Sequence, residues 1–193
     1  MNDVTERVSR RDKIIQAAVA LFEEAGTNGL TTKEIARRQA VTEPVIYKYF
    51  SGKKAIIAEL LKCCRTFDEQ IEQALQAEGL RGKKGIFYVM EQYGQTYEKT
   101  PYLSTILFSF DLFRYDSDLK ENIDQLIAKR QVLFQNLVTQ AVARNEMVIP
   151  MTSQAAADLF LGTLYAGTLR WNLEERRFNL AEWLRASIAV LFH

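Results

Sequence analysis

Histidine and cysteine are scarce in this sequence, and their scarcity argues against much of enzyme and metal chemistry. The only histidine is His193, and the two cysteines are the adjacent pair Cys63 and Cys64. Most zinc and di-iron sites need several histidines or spaced cysteines, and Ser/His or Cys/His nucleophile pairs need a histidine. We therefore expect a protein that is not an enzyme, binds no metal or cofactor and has no disulfide framework.

Long apolar runs are also missing. No stretch approaches the roughly 20 apolar residues that a membrane-spanning helix needs, and the polar start of the chain does not have the apolar core of a signal peptide. Hydrophobic residues make up 48% and charged residues 25% of the 193 positions, as is typical of globular proteins. We expect a cytoplasmic protein.

The small net charge of +1 conceals an uneven distribution. Residues 1–65 contain 12 Lys and Arg against 8 Asp and Glu, whereas the remaining residues contain 13 against 16. A basic N-terminal segment favours a polyanion, such as nucleic acid, as its partner.

The hydrophobic pattern predicts an all-α fold, because apolar residues recur at helical spacing and the alternation typical of strands is absent. Ser9 and Asp12 indicate the start of a first helix, which Gly26 ends. A long helix begins at Lys53 and fades near Gly79. Five further helices are predicted over residues 86–98, 102–113, 117–144, 153–172 and 180–192, so that with the two short helices described next the chain has about nine in total.

Two short helices are predicted between these long ones. Thr31 and Glu34 have the spacing of a capping box at the start of one, and Thr42 with Pro44 opens the next, which ends near Phe50. Two short helices joined by a tight turn form a helix-turn-helix, whose second helix enters the major groove of DNA.

The residues of this unit resemble the signature of the tetracycline-repressor (TetR) family of transcriptional regulators. The matching segments are GLTTKEIA at 29–36 and VTEPVIYKYF at 41–50, followed by Lys53. The chain departs from the family in the turn, where Gln39 replaces a small residue and Ala40 replaces the usual glycine. Alanine tolerates a positive φ poorly, so we expect a cost of about 1 kcal/mol or a slightly different turn.

The resemblance implies two domains and a set of DNA contacts. A DNA-binding domain at 7–67, with its motif at about 31–50, would precede a helical effector-binding and dimerisation domain at 68–193. Thr31 and Thr32 match phosphate-binding positions at a helix start. The family's base-facing positions are matched by Lys33, Glu43, Pro44 and Val45. Its phosphate contacts are matched by Tyr47, Tyr49 and Lys53, and Lys48 is a further candidate for a phosphate contact. The resemblance also implies that one of the two tyrosine rings packs inward.

An N-terminal arm and the rest of the chain give weaker indications. Arg7, Arg10 and Arg11 are candidates for additional DNA contacts. Helical spacing suggests a hydrophobic effector pocket that is lined by Met90, Tyr93, Tyr97, Phe110 and Phe134. Asp111 is a further, polar candidate for this lining. An apolar pair of final helices suggests a homodimer interface at Gly162, Tyr165, Ala166, Leu169, Trp183, Leu184 and Ile188. Buried packing is the favoured role for Cys64, although a redox role for the cysteine pair is also considered.

The resulting hypothesis is a dimeric repressor that binds a near-palindromic operator and is released by a hydrophobic small molecule. Two alternatives remain open at this point. One is an activator or a corepressor-dependent regulator with the same fold. The other is a helical ligand-binding protein without a role on DNA.

Overall fold

The computed structural model describes residues 9–192, and within them it contains α-helices and no β-strand. Arg7 and His193 lie outside the described residues. The ten α-helices are α1 (Arg10–Gly29), α2 (Thr32–Arg38), α3 (Glu43–Tyr47), α4 (Lys53–Ala77), α5 (Gly82–Lys99), α6 (Tyr102–Thr105), α7 (Phe110–Arg114), α8 (Ser117–Ala143), α9 (Ser153–Leu173) and α10 (Leu180–Ala189). The predicted all-α class is confirmed.

Helix α1 begins and breaks where local sequence signals place its ends. The Ser9 hydroxyl accepts from the Asp12 amide at 3.1 Å, and the Asp12 carboxylate accepts from the Ser9 amide at 3.2 Å, which completes a capping box. At Gly26 the backbone leaves the helix with φ of +60°, a conformation that glycine adopts without strain. A last turn through Gly29 then leads into α2.

The N-terminal helices pack around a small apolar core, which the start of α4 completes. Ile14 and Leu21 of α1, Ile35 of α2, Ile46 of α3 and Ile57 of α4 are all buried. Because α2 and α3 have only seven and five residues, their stability comes from this packing rather than from helix propensity.

The turn between α2 and α3 has the left-handed residue that the family resemblance led us to expect. Ala40 has φ of +50°, the amide of Ala40 donates to Arg37 O at 3.2 Å, and the amide of Val41 donates to Ala36 O at 3.0 Å. These are the two bonds of a Schellman motif, in which glycine is the usual left-handed residue. The turn therefore forms with alanine in a strained conformation.

The predicted helix over 102–113 is divided into three pieces, which explains why ten helices replace the nine expected. A 3-10 turn at Ile106–Phe108 separates α6 from α7, and Ser109 has a non-helical ψ of 62°. Hydroxyls compete with the helix here: Ser104 Oγ donates to Pro101 O at 2.7 Å, and Ser109 Oγ donates to Thr105 O at 3.1 Å.

Helices α5, α8, α9 and α10 form the body of the molecule. Gly94 of α5 permits a close approach of α10, because a Cβ at this position would lie 2.4 Å from Ala181 Cα. Gly167 of α9 similarly makes room for the Trp183 ring of α10. None of the helices within residues 9–192 is both long and apolar enough to cross a membrane.

A buried polar network joins α4 to this body. Arg130 of α8 is 1% exposed and donates to the Asp68 carboxylate of α4 through Nε at 2.8 Å and Nη2 at 2.9 Å. The Tyr93 hydroxyl of α5 donates to the same carboxylate at 2.8 Å, and Arg130 Nη1 donates to the Tyr97 hydroxyl oxygen at 3.2 Å. Three helices therefore share one carboxylate and one guanidinium.

Replacing Ala40 with glycine should stabilise the protein. Ala40→Gly removes the strain of a left-handed alanine, so we expect the free energy of unfolding to rise by about 0.5–1 kcal/mol in urea denaturation. The matched control is Ala128→Gly on the exposed face of α8, where glycine should lower it by about 1 kcal/mol. A loss of stability in Ala40→Gly would contradict the strain argument.

Candidate DNA-binding surface

The start of α2 is capped by Thr31, but only half of the predicted capping box forms. The Thr31 hydroxyl accepts from the Glu34 amide at 3.1 Å. Glu34 does not return the bond, because its carboxylate pairs with Arg37, whose Nη2 lies 2.6 Å from Glu34 Oε1. This ion pair lowers the pKa of Glu34. At α3, Thr42 occupies the cap position without a side-chain bond, which corrects its predicted role.

The starts of α2 and α3 are held together by two residues predicted to contact DNA. The Thr32 hydroxyl donates to Glu43 Oε1. Both side chains are half-buried, and Glu43 lies in the first turn of α3, where a carboxylate interacts favourably with the helix dipole. The bond therefore fixes the second helix of the motif relative to the first.

Lys53 has a structural partner as well as a place on this surface. Its ammonium donates to the carbonyl oxygen of Thr27, in the last turn of α1. Burial lowers the pKa of Lys53. The lysine therefore anchors the start of α4 against the end of α1, and any phosphate contact would use its remaining N–H groups.

The aromatic pair at the end of α3 is exposed. Tyr47 is 52% and Tyr49 is 43% exposed. The expectation that one of the two rings packs inward is therefore wrong, because the buried side chains of this segment are Ile46 and Phe50. Both tyrosine rings and hydroxyls are accessible from solvent.

Most arginines near the motif are engaged in ion pairs. Arg37 pairs with Glu34, Arg38 pairs with Glu24, and Arg11 donates to Glu59 at 2.7 and 2.9 Å while lying over the Phe50 ring. Among residues 9–192, Lys33 and Lys48 are exposed lysines of this region without an ion pair. Pro44 is exposed and Val45 half-buried on α3, and Arg10 is exposed at the start of α1.

This motif matches a known family model. Residues 14–60 match the N-terminal model of the bacterial regulatory proteins of the tetR family. The N-terminal part of the chain therefore matches the DNA-binding domain of TetR-family transcriptional regulators.

Individual relatives are transcriptional or metabolic regulators by name. The chain is 21% identical over 180 residues to the fatty acid metabolism regulator protein of Bacillus subtilis, covering 93% of this chain and 92% of the relative. Over 54 residues, 28% of this chain and 29% of the other, it is 39% identical to IcaR of Staphylococcus aureus, the negative transcriptional regulator of the biofilm operon icaADBC.

Solved structures show that the fold extends over almost the whole regulator. The regulator FadR from B. subtilis in complex with stearoyl-CoA superposes with a TM-score of 0.78 at 19% identity, over 93% of this chain and 96% of FadR. MbdR from Azoarcus sp. CIB superposes with a TM-score of 0.82 at 17% identity, over 94% and 96%.

The predicted effector pocket of this chain stays a prediction. Met90, Tyr93, Tyr97 and Phe134 are buried together in the body. Phe110 is 71% exposed on the short helix α7, so its assignment to the lining is corrected. Asp111 beside it is exposed, too. Sequence analysis missed Asp68 and Arg130, because charged residues are rarely buried unless a partner distant in sequence pairs with them.

The predicted dimer residues of the regulator fall into two groups. Gly162, Ala166 and Leu169 are exposed on α9, and Tyr165 and Trp183 are half-buried. Leu184 and Ile188 are 0% exposed, since they pack into the core of their own subunit. Their assignment to the interface is corrected, because side chains without accessible surface cannot contact a partner.

Cys64 is a packing residue. Its thiol is 1% exposed and lies 3.8 Å from Leu60 O and 3.7 Å from Leu103 O. Burial raises the pKa of Cys64 to about 12, so the reactive thiolate is scarce at neutral pH.

Neutralising Glu43 should strengthen binding to DNA. Glu43→Gln keeps an oxygen that can accept from Thr32 but removes a negative charge from the start of α3. We expect affinity for a random-sequence duplex to rise on the order of three- to ten-fold at low salt, measured by fluorescence anisotropy. Glu121→Gln, on exposed α8, is the control and should leave affinity unchanged. Equal affinities of both variants would place Glu43 away from the phosphates.

Proposed function

We propose that this DNA-binding regulator is a homodimeric repressor that recognises a near-palindromic operator and is released by a hydrophobic small molecule. The observation that carries the proposal is the exposed helix-turn-helix, whose α3 presents side chains to solvent while its position is fixed by Thr32 and Glu43. In such a unit the second helix enters the major groove, and a dimer reads two half-sites.

The proposed DNA contacts follow from exposure and charge. Lys33 and Lys48 are exposed lysines that would neutralise phosphates. The hydroxyls of Tyr47 and Tyr49, the amides at the start of α2 near Thr31 and the remaining N–H groups of Lys53 would add contacts that position the protein. Pro44 and Val45 would offer apolar contact to thymine methyl groups, and Glu43 a weak preference for cytosine.

The proposed dimer interface is an apolar stripe on α9. Its members are spaced alternately by four and three residues, are all exposed, and comprise Ala155, Leu159, Gly162, Ala166, Leu169 and Leu173. This spacing places them on one side of a helix, as in a coiled-coil seam. The small residues Gly162 and Ala166 would allow two copies of α9 to approach closely. Exposed Ala189 and Val190 near the end of α10 would extend the surface.

The proposed domain division, 7–67 and 68–193, falls inside α4. This helix is continuous from Lys53 to Ala77 and therefore connects the DNA-binding head to the body. Further contacts cross between them. Glu23 of α1 accepts from the Tyr102 amide at 3.1 Å, and Lys54 pairs with Asp116 at 3.0 Å and Asp118 at 2.7 Å. A change in the body would be transmitted to the heads through α4.

The hydrophobic effector is supported by the interior of the body and by a relative. The centre of the body is packed with buried aromatic and aliphatic side chains. FadR from B. subtilis, which shares this fold, has been solved in complex with stearoyl-CoA. A ligand that prefers one arrangement of the body would lower DNA affinity by its differential affinity for the two states.

Removing Lys48 should weaken DNA binding in a salt-dependent manner. For Lys48→Ala we expect a lower affinity for an operator that has been selected from random-sequence DNA with the wild-type protein. The slope of log K against log salt concentration should be smaller in magnitude by about 1, because one phosphate contact is lost. Lys129→Ala on α8 serves as the charge-matched control. An unchanged slope for Lys48→Ala would exclude a phosphate contact of this lysine.

A charge in the middle of the α9 stripe should prevent dimerisation. Ala166→Glu would bury two unpaired carboxylates against each other, so we expect a monomer in sedimentation velocity and a large loss of operator affinity. Ala128→Glu, on an exposed face of α8, should remain dimeric. The interface assignment fails if Ala166→Glu is still a dimer, and the dimer proposal fails if the wild type is a monomer.

A further inference from the structure

Arg11 in the first turn of α1 connects three elements of the head. Its two terminal nitrogens donate to the two oxygens of the Glu59 carboxylate on α4, Nη2 at 2.7 Å and Nη1 at 2.9 Å. Its guanidinium also lies over the Phe50 ring, 4.8 Å from the ring centroid. Phe50 follows the last residue of α3 by three positions. We refer to Arg11, Glu59 and Phe50 as the clamp.

The contacts of the clamp fix the orientation of the guanidinium. A bidentate pair between arginine and a carboxylate sets the position and the plane of the guanidinium group, and arginine also stacks well on aromatic rings. The side chain of Glu59 is only 20% exposed, so solvent screens the pair less than it would screen a pair on the open surface. The bond from Arg11 lowers the pKa of Glu59, so both groups stay charged at neutral pH.

The start of α1 holds the backbone of Arg11 in place. Ser9 and Asp12, on either side of Arg11, form the capping box that begins the helix. An arginine in a flexible arm would lose conformational entropy when it became ordered on DNA, whereas the backbone of Arg11 is already ordered in the free protein. Its side chain therefore has a defined place within the head before any DNA is bound.

The clamp lies against the segment that carries several of the proposed phosphate contacts. Phe50 is 4% exposed, although it directly follows the exposed Tyr49 and precedes Lys53 by three residues. The amides of Tyr49 and Phe50 both donate to Ile46 O at 3.0 Å, which continues the turn at the end of α3. The place of the Phe50 ring therefore determines where Tyr49 lies relative to α3.

We propose that Arg11 is a positioning residue for DNA recognition: held by Glu59, it fixes Phe50 and with it the end of α3, and it does not itself neutralise a phosphate. The inference rests on the proposed function in taking α3 as the helix that enters the major groove. It replaces the direct DNA contact expected of Arg11 with an indirect effect through Phe50.

The effect of removing Glu59 distinguishes the clamp from a direct contact. The Arg11 side chain is 44% exposed, so a bond to a phosphate is the alternative role. In that role Glu59 competes with the phosphate for Arg11 and repels DNA, so its removal would strengthen operator binding. In the clamp, removal of either partner releases Phe50, so operator binding weakens in both cases. The two roles predict opposite signs for Glu59→Ala.

The test compares the wild type with Arg11→Ala, Glu59→Ala and the double variant, on an operator selected with the wild type and on a random-sequence duplex, by fluorescence anisotropy. Operator affinity should fall about tenfold in each single variant and no further in the double variant, because loss of one partner already opens the clamp. Affinity for the random duplex depends on charge, so it should fall slightly in Arg11→Ala and rise slightly in Glu59→Ala.

Two further variants control for charge. Lys62→Ala removes a positive charge 3.9 Å from Glu59, and its ratio of operator affinity to random-duplex affinity should equal that of the wild type. Arg11→Lys keeps the charge but loses the bidentate bond and the planar stacking, so its operator affinity should fall as in Arg11→Ala. Operator affinity that is unchanged or higher in Glu59→Ala, or equal to the wild type in Arg11→Lys, would overturn the proposal.

A measurement without DNA separates the clamp from the proposed function. Amide hydrogen exchange of Tyr49 and Phe50, followed by NMR, should be faster in Arg11→Ala and Glu59→Ala than in the wild type and Lys62→Ala, because the end of α3 opens more often. Faster exchange, in a protein whose wild type prefers no DNA sequence, would refute operator binding and leave the clamp intact. Unchanged exchange with unchanged operator affinity would refute the clamp and leave the proposed function intact.

Discussion

The buried ion pair between Asp68 and Arg130 is the interaction on which the arrangement of the body depends. Two charges removed from water are tolerated only when each compensates the other and further hydrogen bonds complete the site. Here Tyr93 and Tyr97 supply those bonds. Because the partners come from α4, α5 and α8, the pair ties α4 to the body. Loss of one partner would leave the other as an uncompensated buried charge, at a cost of about 3–5 kcal/mol.

This ion pair is important because α4 belongs to both the DNA-binding head and the body. Its first turns complete the apolar core of the head through Ile56 and Ile57, and its later turns carry Asp68 and Ile71 into the body. Because α4 is continuous from Lys53 to Ala77, a displacement of its body end would also move its head end. Polar contacts of Glu23 and Lys54 add to the apolar packing that joins head and body around α4.

Several positive charges near the DNA-binding surface are neutralised by ion pairs. Arg11, Arg37 and Arg38 are paired within the head, whereas Arg10, Lys13, Lys33 and Lys48 are exposed and have no ion pair among the described residues. Glu43 is held by Thr32 at the start of α3. The surface therefore has few strong attractions to phosphate, and specific contacts from α3 gain relative weight. A dimer would multiply these modest contacts by two.

Features that depend on neighbouring residues were predictable from the amino-acid sequence. Ser9 with Asp12 and the start of α4 at Lys53 were predicted correctly, because capping and helical periodicity act within a few residues. The motif at residues 29–53 was recognisable because its residues follow one another without a gap in the order of the TetR-family signature. Which charges are buried and which apolar side chains stay exposed followed only from the packing of distant helices. Asp68 and Arg130, which form the buried ion pair, are 62 residues apart in sequence. Leu184 and Ile188 are buried in the core of their own subunit, and Phe110 is exposed, because both outcomes depend on packing between distant helices.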